Sequence, residues 1–136
     1  EEFFKLVVFN YVFSNGDAHL KNFSLIQSEY GDYTLTKAYA LMSTVLHTPN
    51  ESDIALDLYE GDMESKFYEK YGHFGRPDFE ELAERIGLIP KRTQYIVDTI
   101  QSQQNEILAM TYSSFLSDEA KEKYIHHYKD KVKRFR

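Results

Sequence analysis

Asp17, His19, Lys21 and Asn22 fall within six residues of the stretch Ser14–Leu25 (SNGDAHLKNFSL), between two apolar runs. Asp17 and Asn22 are the pair whose types and spacing could do chemistry. A carboxylate there can orient a substrate hydroxyl and accept its proton. An amide oxygen five residues on can help to hold Mg²⁺, a hard cation that takes oxygen ligands. Lys21 can neutralise charge on a transferring phosphate. The three together would suit one phosphoryl-transfer site. The same residues also suit a plain turn in which Asp and Asn bond the local backbone. Zinc hydrolysis is a poorer fit, because Asp17 and His19 stand at i and i+2 with no clear third ligand.

Such a loop needs firm support on both sides. Residues 1–13 place Phe3, Leu6, Val7, Asn10 and Tyr11 at three- and four-residue steps, with Phe4, Val8 and Val12 widening the apolar face, which predicts a buried helix. The β-branched residues would also suit a strand, but the length favours a helix. Asn15-Gly16 signals a turn. Residues 23–27 and 33–36 alternate around Glu29-Tyr30-Gly31-Asp32 and predict a short hairpin. Between Thr44 and Pro77 the pattern is weak, with a short strand possible over 54–58. Asp78 is placed as the N-cap of a helix closed by Gly87, carrying Phe79, Leu82, Ala83 and Ile86. Pro90 opens a helix expected to run to about Tyr112, and Ser117 caps a last one whose charge order suits the helix dipole. The sum is a mainly α fold with one small β-hairpin directly after the polar loop.

The 136 residues suffice for a domain with a real core, and 42% hydrophobic with 28% charged is ordinary globular composition. A net charge of −6 argues against a nucleic-acid-binding surface over the whole domain, although Lys131 to Arg136 hold four cations that could form a local basic patch. The absence of cysteine excludes disulfides and thiolate metal sites. The 11 Tyr and 10 Phe predict an aromatic core. The chain opens inside an amphipathic run without an initiator Met, as a piece of something longer would.

Read as a whole, Asn15-Gly16-Asp17-Ala18-His19-Leu20-Lys21-Asn22-Phe23-Ser24-Leu25 resembles the catalytic loop of the HipA-type serine/threonine kinases, the toxin halves of bacterial toxin–antitoxin pairs. The element Leu35 to Thr44 (LTKAYALMST) resembles that family's next motif, and Phe79 to Gly87 (FEELAERIG) and Ser114 to Ser117 with Lys121 and Tyr124 follow in order. The resemblance implies that residues 1–136 are the mainly helical C-terminal lobe of a protein-kinase-like fold. It assigns Asp17 as catalytic base, Asn22 as a Mg²⁺ ligand and Lys21 as a phosphate contact in ATP binding, with His19 as structural support. It further implies γ-phosphoryl transfer from ATP to a protein Ser/Thr, with an aminoacyl-tRNA synthetase as a target. A HipB-like helix-turn-helix antitoxin would be the partner, DNA would be met only through it, and the setting would be cytoplasmic and linked to bacterial persistence.

One position departs from the pattern. Where the family carries a second Mg²⁺-ligating Asp in a Tyr-Asp-Leu/Ile step, this chain reads Tyr39-Ala40-Leu41. Ala40 has no oxygen to offer. It marks either an inactivated kinase or a natural pseudokinase that docks an antitoxin or partner subunit without catalysis. A small-molecule phosphotransferase is a further reading. The N-terminal lobe that would cover the phosphates is also expected outside this chain, since no G-x-G-x-x-G and no strand lysine of the required kind occur.

Overall fold

Helix α1 (Glu2–Val12) is the hub of the fold, and it buries Phe4, Val7, Val8, Asn10, Tyr11 and Val12. The computed structural model describes residues 1–136. Three valines would suit a strand, yet a central segment surrounded by other helices must satisfy its own backbone, and a helix does so internally. The helix predicted over 1–13 is therefore present. Its first turn carries Glu2, on the side where the dipole favours an anion.

The hairpin follows, shorter than its sequence signal. Strands β1 (Leu25–Gln27) and β2 (Tyr33–Leu35) pair antiparallel with Leu25 opposite Leu35 and Gln27 opposite Tyr33. Gly31 turns the chain at φ 88°, a left-handed conformation that glycine adopts without steric cost. The Thr36 N–H still donates to the Ser24 carbonyl at 2.9 Å, but Phe23 leaves the hairpin to pack on Phe3, with ring centroids 5.2 Å apart. Leu25, Ile26, Tyr30 and Tyr33 are all exposed.

Sequence and structure part most in the middle of the chain. No strand forms over 54–58. Ile54 and Leu58 are buried, but no second strand lies alongside, and the Leu58 N–H instead donates to the buried Asp62 carboxylate at 2.6 Å. A helix that the pattern did not announce, α2 (Lys66–Tyr71), is capped by Ser65 and closed by Gly72 at φ 71°. Helix α3 (Arg76–Arg85) begins earlier than expected. Asp78 is its third residue rather than its cap, and its carboxylate accepts from the Gly75 N–H at 2.9 Å. It also accepts from Ser65 Oγ at 2.5 Å, so one buried carboxylate joins the starts of α2 and α3. The single helix expected over 90–112 is two, α4 (Pro90–Ser102) and α5 (Gln104–Ser113). The run Gln101-Ser102-Gln103-Gln104 offers no apolar side chain to hold it on the core, and the bend re-aims Ile107 and Leu108 inward. Helix α6 (Asp118–Lys133) starts at Ser117 as predicted.

The core packs α1 against Phe79, Leu82 and Ala83 of α3, Ile96 and Val97 of α4, and Tyr128 and Val132 of α6, with Phe74 and Phe135 alongside. Aromatics do dominate its centre: the Tyr11 and Phe79 rings lie 4.9 Å apart, as do those of Phe79 and Phe135. Other aromatics, such as Tyr30 and Phe115, are fully at the surface. No helix is long and apolar enough to cross a membrane.

The C-terminal cations do not form a basic patch, because half of them turn inward. Lys131 is buried, its Nζ 2.6 Å from Asp53 and 4.0 Å from the centre of the Tyr11 ring. Arg134 pairs with Asp53 and Asp130 and donates to the Tyr11 hydroxyl at 2.9 Å, while that hydroxyl donates to the Phe74 carbonyl at 2.5 Å. Burial works against charge on Asp53, but the two cations outweigh it and hold its carboxyl below the usual range. Lys131 must share that one anion with Arg134, and burial pushes its ammonium down to about 8. The unfolded chain would keep this proton to an ordinary lysine pKa, 10.5. Between those values the unfolded state binds more protons, so this group makes stability rise with pH. Urea unfolding compared at about pH 8 and about pH 9.5 should show a gain of about 1–2 kcal/mol from this group, absent in Lys131→Met.

Candidate functional site

The polar loop leaves α1 at a strained residue. Ser14 has φ 54°, and the only other non-glycine residue with positive φ is Ala40. Strained backbone of this kind concentrates at working sites. Both residues belong to the same place, where the loop meets the segment following β2.

Hydrogen bonds fix the loop on each side of Asp17. The Asn15 N–H donates to the Asn10 carbonyl at 2.9 Å, and Ala18 is buried. A 3₁₀ turn over Leu20–Asn22 then delivers the chain to the hairpin, with the Asn22 N–H on the His19 carbonyl at 2.9 Å. The segment after β2 is drawn onto the loop by four further groups. Asn15 Nδ2 donates to Asn10 Oδ1 at 2.8 Å and to the Ala40 carbonyl at 3.0 Å. The Thr44 N–H donates to the Ser14 carbonyl at 3.0 Å, and Thr44 Oγ1 accepts the Gly16 N–H at 2.8 Å. The Tyr39 hydroxyl donates to the Lys21 carbonyl at 2.9 Å, and Ser24 Oγ lies 2.6 Å from it. Asn15, Tyr39 and Thr44 carry this architecture. In sequence Asn15 marks a turn with Gly16, and Tyr39 and Thr44 fall within the LTKAYALMST motif, but nothing local shows that their side chains hold the loop.

Of the residues chosen from sequence, Asn22 and residue 40 come together. Both line a cavity of about 10 Å³, with Asn10, Asn15, Ala18 and Phe23, a volume of about one water molecule. The oxygens Asn22 Oδ1 and Asn15 Oδ1 are buried without a hydrogen-bond partner. An orphaned buried carbonyl is costly and calls for an explanation such as a bound ion or water. Asp17 does not line this cavity. Its side chain is 67% exposed, with His19 Nε2 3.9 Å from Oδ1. Lys21 is exposed and forms no ion pair.

The side chains present do not complete a Mg²⁺ site. Asn22 contributes a suitable amide oxygen. Ala40 contributes none, and no three His, Cys, Asp or Glu residues gather anywhere in the fold to hold a metal ion. Neither Asp53 nor Asp32 is placed to supply the missing oxygen: Asp53 is engaged by Lys131 and Arg134, and Asp32 lies in the hairpin turn.

A small helical domain with a hairpin and an Asp–Asn loop thus encloses a small, mostly apolar pocket lined by Asn15 and Asn22, whose amide oxygens are unpartnered. Residues 1–109 match the HipA-like C-terminal domain, and the chain belongs to that family. Among its relatives, "Putative kinase Y4dM" of Sinorhizobium fredii is 41% identical over 56 residues, covering 41% of this chain and 14% of its own length. "Putative kinase" of Haemophilus influenzae is 32% identical over 94 residues, covering 64% of this chain and 27% of its own. The chain thus spans roughly a seventh to a quarter of the lengths of the curated relatives it matches.

The geometry of residue 40 yields a test that needs no activity. An alanine at φ 52° carries the steric penalty of the left-handed region, about 1–2 kcal/mol. Ala40→Gly should raise stability by about 1 kcal/mol in denaturant unfolding. A loss of stability would show that the residue is not held in this conformation.

Proposed function

We propose that the chain is the C-terminal lobe of a kinase-like HipA protein, built for transfer of the ATP γ-phosphoryl group to a protein Ser or Thr. The observation that carries this reading is the buried, unpartnered Asn22 amide oxygen beside the strained backbone of residue 40. Asp17 is the base: its exposed carboxylate takes the substrate hydroxyl proton as that oxygen bonds to the γ-phosphorus and ADP departs. Lys21 offsets phosphate charge from the same loop. Asn22 would supply one oxygen toward Mg²⁺, and an aspartate at residue 40 would supply the next. Asp is among the residues that best tolerate positive φ, which supports residue 40 as a position suited to it.

With alanine there, the cation and nucleotide are held poorly. Loss of a metal's outer-sphere partner costs about 10–100-fold, and loss of a direct ligand should cost at least as much. That same deficit supports the second reading, a pseudokinase that keeps the lobe for docking. The kinase reading requires a further lobe to cover the nucleotide. The proposed setting is the cytoplasm, with a helix-turn-helix antitoxin as restraining partner and an aminoacyl-tRNA synthetase as a candidate target.

The test is Ala40→Asp in a polypeptide that includes an upstream nucleotide-covering lobe, incubated with labelled ATP and Mg²⁺. Phosphate on protein that disappears with Asp17→Ala supports the kinase. No nucleotide binding, even with aspartate at 40, leaves the docking reading.

A further inference from the structure

Glu51 is a half-buried carboxylate with no ion pair. A charge in that position ordinarily finds a cation, and Lys131 lines the adjoining cavity of about 80 Å³, yet Lys131 is committed to Asp53. Glu51 instead receives two hydroxyls. Thr44 Oγ1 donates to its Oε1, and Thr48 Oγ1 donates to its Oε2 at 2.5 Å. The Thr44 hydroxyl has a single proton. With that proton on Glu51, its lone pair faces the Gly16 N–H at 2.8 Å. The Ser14 carbonyl, 3.2 Å away, is the other acceptor within reach of that proton, and the charged carboxylate is the stronger of the two. Glu51 therefore biases which way the hydroxyl points, and the hydroxyl holds the N–H of the residue directly before Asp17.

Contact reinforces the hydrogen bonds. A Cβ on Gly16 would lie 2.6 Å from Glu51 Cδ and 2.6 Å from the Ser52 carbonyl oxygen. The turn is thus pressed against Glu51 as well as tied to it. The 3₁₀ turn Thr44–Leu46 is itself closed onto this group, since the Thr48 N–H donates to the Thr44 carbonyl at 2.9 Å and the Glu51 N–H to the Thr48 carbonyl at 3.1 Å. A carboxylate acceptor makes a stronger bond than a neutral one, and it sits remote in sequence from the loop it steadies.

We propose that Glu51, acting through Thr44, is a positioning residue that fixes the Gly16 turn and so aims the Asp17 carboxylate. The role rests on the reading of Asp17 as the catalytic base. It requires no contact with substrate or nucleotide. A displacement of about 1 Å at a reacting group can cost about 100-fold in rate, so release of the turn should act on turnover rather than on nucleotide affinity.

The experiment places Glu51→Ala and Glu51→Gln in the lobe-containing Ala40→Asp protein. Phosphate transfer and hydrogen exchange of the Gly16 amide are measured side by side. Glu51→Ala should lower kcat by about 100-fold with KM for ATP within about twofold. It should also speed Gly16 exchange by about tenfold or more while the Val8 and Val97 amides keep their protection. Glu51→Gln keeps an acceptor oxygen and should restore both readouts to within about threefold of the parent. An unchanged Gly16 amide or an unchanged kcat in Glu51→Ala of an active parent overturns the proposal alone. Exchange that rises equally at Val8 and Val97 overturns it too, by showing general loosening. An inactive parent sinks the reading of Asp17, and the positioning role falls with it.

Discussion

One backbone carbonyl, that of Ser14, joins the two halves of the site. It receives the N–H groups of Thr44 and Val45 at 3.0 and 3.4 Å, and it can do so because Ser14 itself adopts positive φ. The bond brings the segment after the hairpin back across the loop. Asn15 then reaches the Ala40 carbonyl, and the Gly16 N–H reaches Thr44. Remove that junction and only the Asn15 and Tyr39 side-chain bonds tie residue 40 to the loop that carries Asn22. The polar loop would be an ordinary turn.

The junction is only as rigid as the helix it springs from. Helix α1 is gripped by apolar contacts along its length, and at its far end Tyr11 sits under Lys131 and Arg134 with Asp53 bridging the two cations. The Asp53 segment directly follows Glu51, so the ion cluster that closes the C-terminus also anchors the acceptor beneath the loop. Core packing, a buried charge cluster and the loop's hydrogen bonds thus form one continuous support. The hairpin differs from all of this. Its large side chains are exposed, and it holds to the body mainly through Phe23 and Tyr39.

The parts legible in sequence were those governed by short-range rules. The α1 signal is an apolar period and the α6 signal is the Ser117 cap with its charge order, and both helices stand where those signals put them. The polar stretch was legible because Asp17, Lys21 and Asn22 are close in the chain, and the oddness of Ala40 was legible from its neighbours Tyr39 and Leu41. What could not be read depended on distant partners. Alternation over 54–58 suggested a strand, but a strand needs a mate, and none comes. Asp78 looked like a cap, yet the donor it serves lies one turn earlier, at Gly75. Lys131 looked like a surface cation until Asp53 drew it inward. Glu51 and Thr44 carry no local pattern at all, since their meaning comes from Gly16, some thirty residues away.

The central proposal is convergence: Asn22 and an aspartate at residue 40 would face one cation beside a base at 17. Mn²⁺, which takes the same oxygen ligands as Mg²⁺, tests it directly by paramagnetic broadening of NMR signals on titration with ATP. In the lobe-containing Ala40→Asp protein, the Asn22 side-chain amide and the backbone of residues 17 and 40 should broaden first, and much less with alanine at 40. Broadening centred elsewhere, or equal with alanine and aspartate at 40, would contradict the account.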